Sequence, residues 1–366
     1  MGCWIYCILT IVAVSRLHER PKPPNSARDS LTLRRISILK PLAGLDDGLE
    51  ENLESYFQQK YQNFSLYFAV SKLSDPAAEI VEKLQRTYAD VCSKLFITGE
   101  PPYPHDKVFK LQSMLEASDG DIIVMSDSDV RVGPEFCSAL AAEYEDSTLD
   151  LVTCPYRAIG GPSLWSRLEA LAMNTDFHAG LFTAVLMEGA RFAVGPTIAI
   201  RRGALLRLGG MERFKDYLSE DFMLGRKAAE AGFGVRMSSY VVEHRIGSED
   251  LAKNFKHRLR WVRGSRRSRP LGYIGQIFTY PAAAGFCLLC TLPLWKVLLP
   301  ISLALRAGSA WAVSERTLKT PVRWFLLPLH DFLSFGFWIA GFFGNTVHWR
   351  GRRYVLKRDG TLQVAG

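Results

Sequence analysis

The chain has 366 residues, 48% of them hydrophobic and 22% charged, with 7 cysteines. This is enough apolar sequence for a full catalytic domain with some left over, which excludes a small scaffold and a disordered chain. Cysteines this sparse exclude a disulfide-stapled secreted module and read as a reducing setting.

Net charge is +8, and its placement matters more than its size. Arg258, Arg260, Arg263, Arg266, Arg267 and Arg269 precede an apolar tract that opens near Ile277; Arg350, Arg352, Arg353, Lys357 and Arg358 follow the last such tract. Basic residues crowded beside apolar tracts read as cytoplasmic membrane flanks. The soluble block ahead of them is not conspicuously basic and holds no reader motif, so nucleic acid is not an expected partner.

In chain order, Trp4 to Val14 comes first. It is shorter than the roughly 20 residues of a spanning helix, and reads as a marginal anchor in residues 1–17 whose start is open to truncation. A signal peptide is disfavoured, because no basic residues precede the run and no small-x-small cleavage site follows it.

Residues 33–248 alternate short apolar runs with amphipathic stretches, the pattern of an α/β domain with a mainly parallel sheet. Strands are expected at Ile36–Leu42, Ser65–Ser71, Lys94–Ile97, Asp121–Met125 and Asp150–Cys154. One helix is expected over Leu49–Gln59 behind Asp46 and Asp47, and another opens at Pro76 behind Asp75, following capping and Pro-at-N1 preferences.

Ligands of open parallel sheets bind beyond the carboxyl ends of strands, which directs attention to Asp127-Ser128-Asp129 after Ile122–Met125. If the chain stays extended there, the two carboxylates point the same way and can share a hard cation such as Mg²⁺ or Mn²⁺. The alternative is a strand-end turn, for which Asp and Ser are equally suited. Farther on, Ser219-Glu220-Asp221 reads as a helix start. A carboxylate there can serve as a general base if burial or neighbouring charge raises its pKa, and Glu220 and Asp221 are equally eligible.

His257-Arg258-Leu259-Arg260-Trp261 lies in residues 249–276, a stretch of helical composition. On a helix His257, Arg260 and Trp261 share one face, joining a hydrogen-bonding ring, a fixed cation and a flat aromatic surface that suit a sugar diphosphate. The alternative is a basic interfacial helix, the reading preferred for Arg258, Arg263, Arg266, Arg267 and Arg269.

Membrane segments are expected in residues 277–347. Ile277–Leu305 is one tilted helix or two broken ones, given Pro281, Pro293 and Pro300. Trp324–Val347 carries His330 and Asp331, polar groups that in a membrane face protein or a substrate path. Three spans would leave Arg306, Arg316, Lys319 and Arg323 in an outside loop against the positive-inside trend, so a four-segment layout stays open. A basic cytosolic tail, 348–366, completes the chain.

Taken in order, Asp75, Asp127-Ser128-Asp129, Ser219-Glu220-Asp221 and His257–Trp261 resemble the D, D, D, (Q/R/H)xxRW series of membrane-bound inverting glycosyltransferases. Ile38-Leu39-Lys40-Pro41-Leu42, Asp75-Pro76-Ala77 and Trp349–Tyr354 make the chain similar to the ceramide glucosyltransferase family, family 21. The resemblance implies a GT-A domain on the cytosolic face, transmembrane helices at both ends, a UDP-sugar donor, a divalent cation and a lipid alcohol acceptor. By position it implies Asp75 at the uridine, Lys110 at the diphosphate, Asp127 and Asp129 at the metal, Asp221 as base, and His257, Arg260 and Trp261 closing the donor site. Glucose transfer from UDP-glucose to ceramide is the leading expectation. Hopanoid alcohols with UDP-N-acetylglucosamine are the near alternative, and a non-catalytic basic membrane scaffold is the alternative of another class.

Overall fold

The computed structural model describes residues 1–18, 34–247, 250–289, 295–349 and 352–364. The chain divides into two units. One holds residues 21–156 and 190–247; the other holds 1–20, 157–189 and 248–366. The segment 157–189, which the sequence pattern placed inside the α/β block, thus groups with the chain ends.

The first half of the chain runs α1 (Gly2–His18), β1 (Ile36–Pro41), α2 (Leu49–Phe57), β2 (Phe64–Val70), α3 (Pro76–Thr87), β3 (Ser93–Ile97), α4 (Asp106–Ala117), β4 (Ile122–Ser126) and β5 (Val130–Arg131). Next come α5 (Phe136–Glu143), β6 (Leu149–Thr153), β7 (Tyr156–Gly160), α6 (Leu164–Ala172), a π-helical stretch Met173–Phe177, and α7 (His178–Glu188). After these follow β8 (Thr197–Arg201), α8 (Arg202–Arg207), α9 (Glu220–Glu230), β9 (Gly234–Met237), β10 (Val242–Ile246) and α10 (Leu251–Ser268). The chain finishes with α11 (Pro270–Gly275), α12 (Pro281–Leu289), α13 (Trp295–Trp311), α14 (Leu327–Gly341), β11 (Thr346–Trp349), β12 (Arg352–Leu356) and β13 (Leu362–Val364).

The α/β unit is built on a seven-stranded sheet of order β3-β2-β1-β4-β8-β6-β9. β1 pairs in parallel with β2 and β4, and β2 with β3, while β8 runs antiparallel to both β4 and β6. The five expected strands fall within a residue or two of β1, β2, β3, β4 and β6. All six residues of β1 and all five of β4 are buried, as a strand covered on both faces requires. On one face Leu39, Ile123 and Met125 pack against Val108, Leu111 and Leu115 of α4 and Leu224 of α9. Each such side chain is worth about 1.5–3 kcal/mol in removed apolar surface, which fixes the two helices whose first turns carry the site.

The expected helix starts hold with one change. Asp75 caps α3, its Oδ1 accepting the Ala77 N–H at 3.0 Å with Pro76 at N1. α2 instead starts behind Gly48 at φ 73°, with no side-chain cap, so Asp46 and Asp47 do not cap it.

The second unit is mainly helical. Thr10 and Thr183 meet at 3.1 Å between α1 and α7, and Trp4 Nε1 donates to Ser302 of α13 at 2.8 Å. Of the described helices one, Val297–Thr317, is long and apolar enough to cross a membrane; α1 is shorter. In the tract from Ile277 a 3₁₀ turn precedes α12, and α13 is described from Trp295; residues 290–294 lie outside the described residues. Arg306 is not in a loop. It lies in α13, its side chain 4% exposed, with a fork on Asp331 (Nη2–Oδ1 2.9 Å) and a contact to Asp176 at 2.5 Å. His330 Nε2 lies 2.8 Å from the other oxygen of Asp176, so the polar groups expected to face protein do so. The tail beyond Trp349 adds β12 and β13 to an antiparallel ribbon, with Arg350 outside the described residues.

Candidate active site

The site grows from the carboxyl end of β4. The strand stops at Ser126, and Asp127 to Val130 close a turn in which Val130 N–H donates to Asp127 O at 3.3 Å. The Asp127/Asp129 pair therefore sits on the strand-end turn given as the alternative, not on extended chain.

Three groups fix that turn from below. Lys40, fully buried on β1, donates to the Asp127 carbonyl at 2.5 Å and stands 4.1 Å over the Tyr56 ring. Burial pushes its ammonium down to about 7 despite the pull of Asp127, Asp129 and Asp46. Ser128 Oγ donates to Asp46 at 2.5 Å. His244 on β10 places Nε2 at 3.0 Å from Asp129 Oδ2; against the burial that would raise it, this ring holds Asp129 below the ordinary carboxylate range. Asp129 Oδ1 is buried and has no hydrogen-bond partner. An orphaned carboxylate oxygen beside a second carboxylate and backed by a histidine is the donor set a hard divalent cation takes, so the residues fit the expected metal.

Lys107, in the first turn of α4, reaches across to Asp127 Oδ1 at 2.6 Å and Glu220 Oε1 at 2.8 Å. Burial would lower its pKa, but these two carboxylates carry it well above the usual lysine value. Lys110, one turn deeper, is placed otherwise than the resemblance implied. Its ammonium is 1% exposed and spent on Leu42 O at 2.7 Å and Asp106 at 2.9 Å, so it braces β1 against α4.

The geometry also separates Glu220 from Asp221. Glu220 is bound by Lys107 and by His105 Nε2 at 3.2 Å, and these hold it far below the carboxylate range against the effect of burial. Asp221 is partly buried, and desolvation, with Glu220 adding repulsion, pushes it up to about 7. This outweighs the lowering influence of the α9 N-terminus. Asp221 lines a single pocket with Lys107, Asp127, Gly195, Glu220 and Met211. Gly195 is required there, because a Cβ would lie 2.8 Å from Asp221 Oδ2.

Asp75, the α3 cap after β2, meets the chain leaving β1, where both its oxygens accept from the Gly44 N–H at 3.0 and 3.1 Å. His257, Arg260 and Trp261 belong to the second unit. α10 is helical throughout, as expected, and the His257 and Trp261 rings lie 5.4 Å apart, edge to face. Another group able to hold a cation, Asp176 with His330 and Asp331, also lies in that unit. There the Arg306 guanidinium already bonds both carboxylates, and a divalent ion would add positive charge to a pair that is neutralised.

Sequence reasoning missed Lys107, His105, His244 and Lys40. A signal for Lys107 was present: it occupies the first turn of a helix, the end that meets the carboxyl edge of the sheet, whereas Lys110 lies a turn inside. Nothing comparable marks the two histidines, which are far from their carboxylates in sequence.

The mannosyltransferase PcManGT from Pyrobaculum calidifontis, in complex with GDP-Man and Mn²⁺, is similar in structure, with a TM-score of 0.55 at 17% identity over 91% of this chain and 94% of that one. The fold is thus that of the GT-A glycosyltransferases, with a mostly parallel sheet. The profile of glycosyl transferase family 21 matches residues 2–362, and the chain belongs to that family. Two proteins of Caenorhabditis elegans are similar in sequence. Ceramide glucosyltransferase 1 is 25% identical over 271 residues, 72% of this chain and 56% of that protein. Ceramide glucosyltransferase 3 is 24% identical over 261 residues, 71% of this chain and 57% of that protein. The chain thus spans somewhat over half the length of these curated relatives.

Proposed function

We propose that this protein is an inverting glycosyltransferase of a membrane surface, moving a hexose from a UDP-sugar to a lipid alcohol, with glucose from UDP-glucose and ceramide as the leading pair. The observation that carries this reading is the pocket in which Asp221, its pKa pushed up to about 7, shares walls with Asp127 and Lys107. A carboxylate poised near neutrality suits a general base, and one beside an acidic metal set and a lysine suits a base facing a sugar diphosphate.

In the proposed reaction Asp221 accepts the proton of the acceptor hydroxyl as its oxygen attacks the anomeric carbon, and the bond from that carbon to UDP breaks on the opposite face. Configuration at the carbon inverts. Glu220 stays charged and holds Lys107, which we assign to the diphosphate in place of Lys110 because its ammonium faces the pocket. Asp127 and Asp129 would hold Mg²⁺ or Mn²⁺, which when bound neutralises charge developing on the leaving group. Asp75, beside the chain leaving β1, is assigned to the uridine. His257, Arg260 and Trp261 are carried as donor-binding residues on their chemistry and on the resemblance. The apolar helix Val297–Thr317 and the basic flanks of α10 support membrane attachment with the α/β unit cytosolic.

The test is a membrane fraction given radiolabelled UDP-glucose or UDP-N-acetylglucosamine, with ceramide or a hopanoid alcohol, with and without chelator. Labelled glucosylceramide that disappears with chelator is the expected result. A hopanoid product from UDP-N-acetylglucosamine would change donor and acceptor but keep the chemistry; no UDP release from any pair would favour the scaffold and overturn the proposal.

A further inference from the structure

We propose that Glu169 is the positioning residue for the His257–Trp261 face, a buried carboxylate that sets the position of the His257 ring and the rotation of α10 about its axis. The inference rests on the reading of that face as donor-binding, and adds to it a residue that neither the motif series nor its spacing includes.

Glu169 sits on α6 with its side chain 4% exposed. Its Oε1 lies 2.7 Å from His257 Nδ1, and its Oε2 accepts from Asn254 Nδ2 at 2.5 Å. Asn254 and His257 are three apart on α10, so one carboxylate grips two neighbours on the same helical face. A carboxylate this buried is costly unless both oxygens are satisfied, and a well-packed apolar side chain would join two helices at least as well. One oxygen hydrogen-bonded to Asn254 and the other 2.7 Å from His257 Nδ1 fix a geometry that apolar packing leaves free.

The other end of the face is held from the same segment. The Trp261 ring packs against Phe177 at 5.9 Å, and Phe177 closes the π-helical stretch that directly follows α6. Glu169 therefore anchors His257 and Phe177 anchors Trp261, with the two rings meeting between them. On α14, Ser334 accepts from Arg258 at 3.0 Å and Phe337 lies 4.9 Å beneath the guanidinium, so α10 is gripped from a second side and its rotation is set. Within this frame Glu169 is the only one of these anchors whose chemistry demands both partners at once. Glutamine has its shape without its charge, so it can keep the Asn254 hydrogen bond but not the charged contact to His257.

The experiment compares wild type, Glu169→Gln, His257→Gln and the double variant, as full-length protein in detergent. UDP binding is measured by calorimetry, and KM and kcat by UDP release from UDP-glucose. We expect Glu169→Gln to unfold at the wild-type temperature, to bind UDP on the order of tenfold more weakly, and to show the loss in KM more than in kcat; in the His257→Gln background the same exchange should add nothing. Wild-type binding by Glu169→Gln, or an equal loss in the His257→Gln background, would overturn the inference while leaving the proposed function in place. A Glu169→Gln protein that fails to fold would assign the residue to the fold and overturn it too. Wild-type protein that binds no UDP would sink the functional reading and this inference with it.

Discussion

Lys107 and Asp127 meet at 2.6 Å, joining the first turn of α4 to the turn after β4. The contact makes two lysines three residues apart chemically distinct. Lys107→Met should lower kcat/KM for the UDP-sugar on the order of 100-fold, as the loss of a preorganised charge at the leaving group does, and should also cost stability, because Asp127 and Glu220 lose their shared cation. Lys110→Met should cost about 1–3 kcal/mol of stability, because Leu42 O loses its donor and Asp106 its cation, and leave UDP affinity of the folded protein unchanged. Calorimetric titration with UDP beside thermal unfolding separates the two.

The raised pKa of Asp221 sets both a rate profile and a stability profile. As a base it must be ionised, so kcat/KM should rise with pH up to about 7 and level off above. Asp221→Asn should remove transfer and that rise while UDP still binds. The fold responds in the opposite sense. The unfolded carboxyl ionises near its ordinary 3.8 and the folded one near 7, so stability falls as pH climbs between these values and the loss is complete above them. Asp221→Asn should therefore stabilise the protein at pH 8 by about 1–3 kcal/mol and by nothing at pH 3. Unfolding midpoints at the two pH values are the check.

Metal demand should follow His244. The ring backs Asp129 at 3.0 Å and leaves Oδ1 as the open oxygen. His244→Ala should raise the Mn²⁺ concentration for half-maximal transfer by about 10–100-fold with little change at saturation. Asp129→Asn should not be rescued by added metal. A Mn²⁺ titration of initial rates, after chelation, decides both.

The buried network on Arg306 yields a prediction independent of catalysis. Arg306→Met leaves Asp331 and Asp176 without their cation and should cost about 3–5 kcal/mol. Exchanging Asp331 for Leu in the same chain should recover part of it. Thermal unfolding in detergent measures both steps.

How far the sequence led depends on whether a feature is local. β1, β2, β4 and β6 are largely buried apolar runs and β3 a shorter, half-exposed one, and period and composition found them. β8 was not found: Thr197–Arg201 is short, and its place between β4 and β6, antiparallel to both, is set by pairings 45 to 79 residues away. The spacing of His257, Arg260 and Trp261 foretold one helical face because helical spacing is itself local. Asp127 and Asp129 were picked out while their backbone was left between extended chain and turn, since a turn stabilised by Lys40 and Asp46 cannot be told from extended chain without those partners. Glu220 and Asp221 were inseparable until His105, over a hundred positions earlier, was seen beside one of them.

The wall next to the proposed base is defined by missing atoms. α9 lies so close to Phe192 and Ala193 that a methyl on Gly225 would come within 2.1 Å of the Ala193 nitrogen, and Gly195 leaves no room for one beside Asp221. Variants that change sugar or acceptor preference by enlarging or reshaping this side are thereby foreclosed. A side chain added at either glycine would displace α9 or Asp221 before it could reshape the pocket.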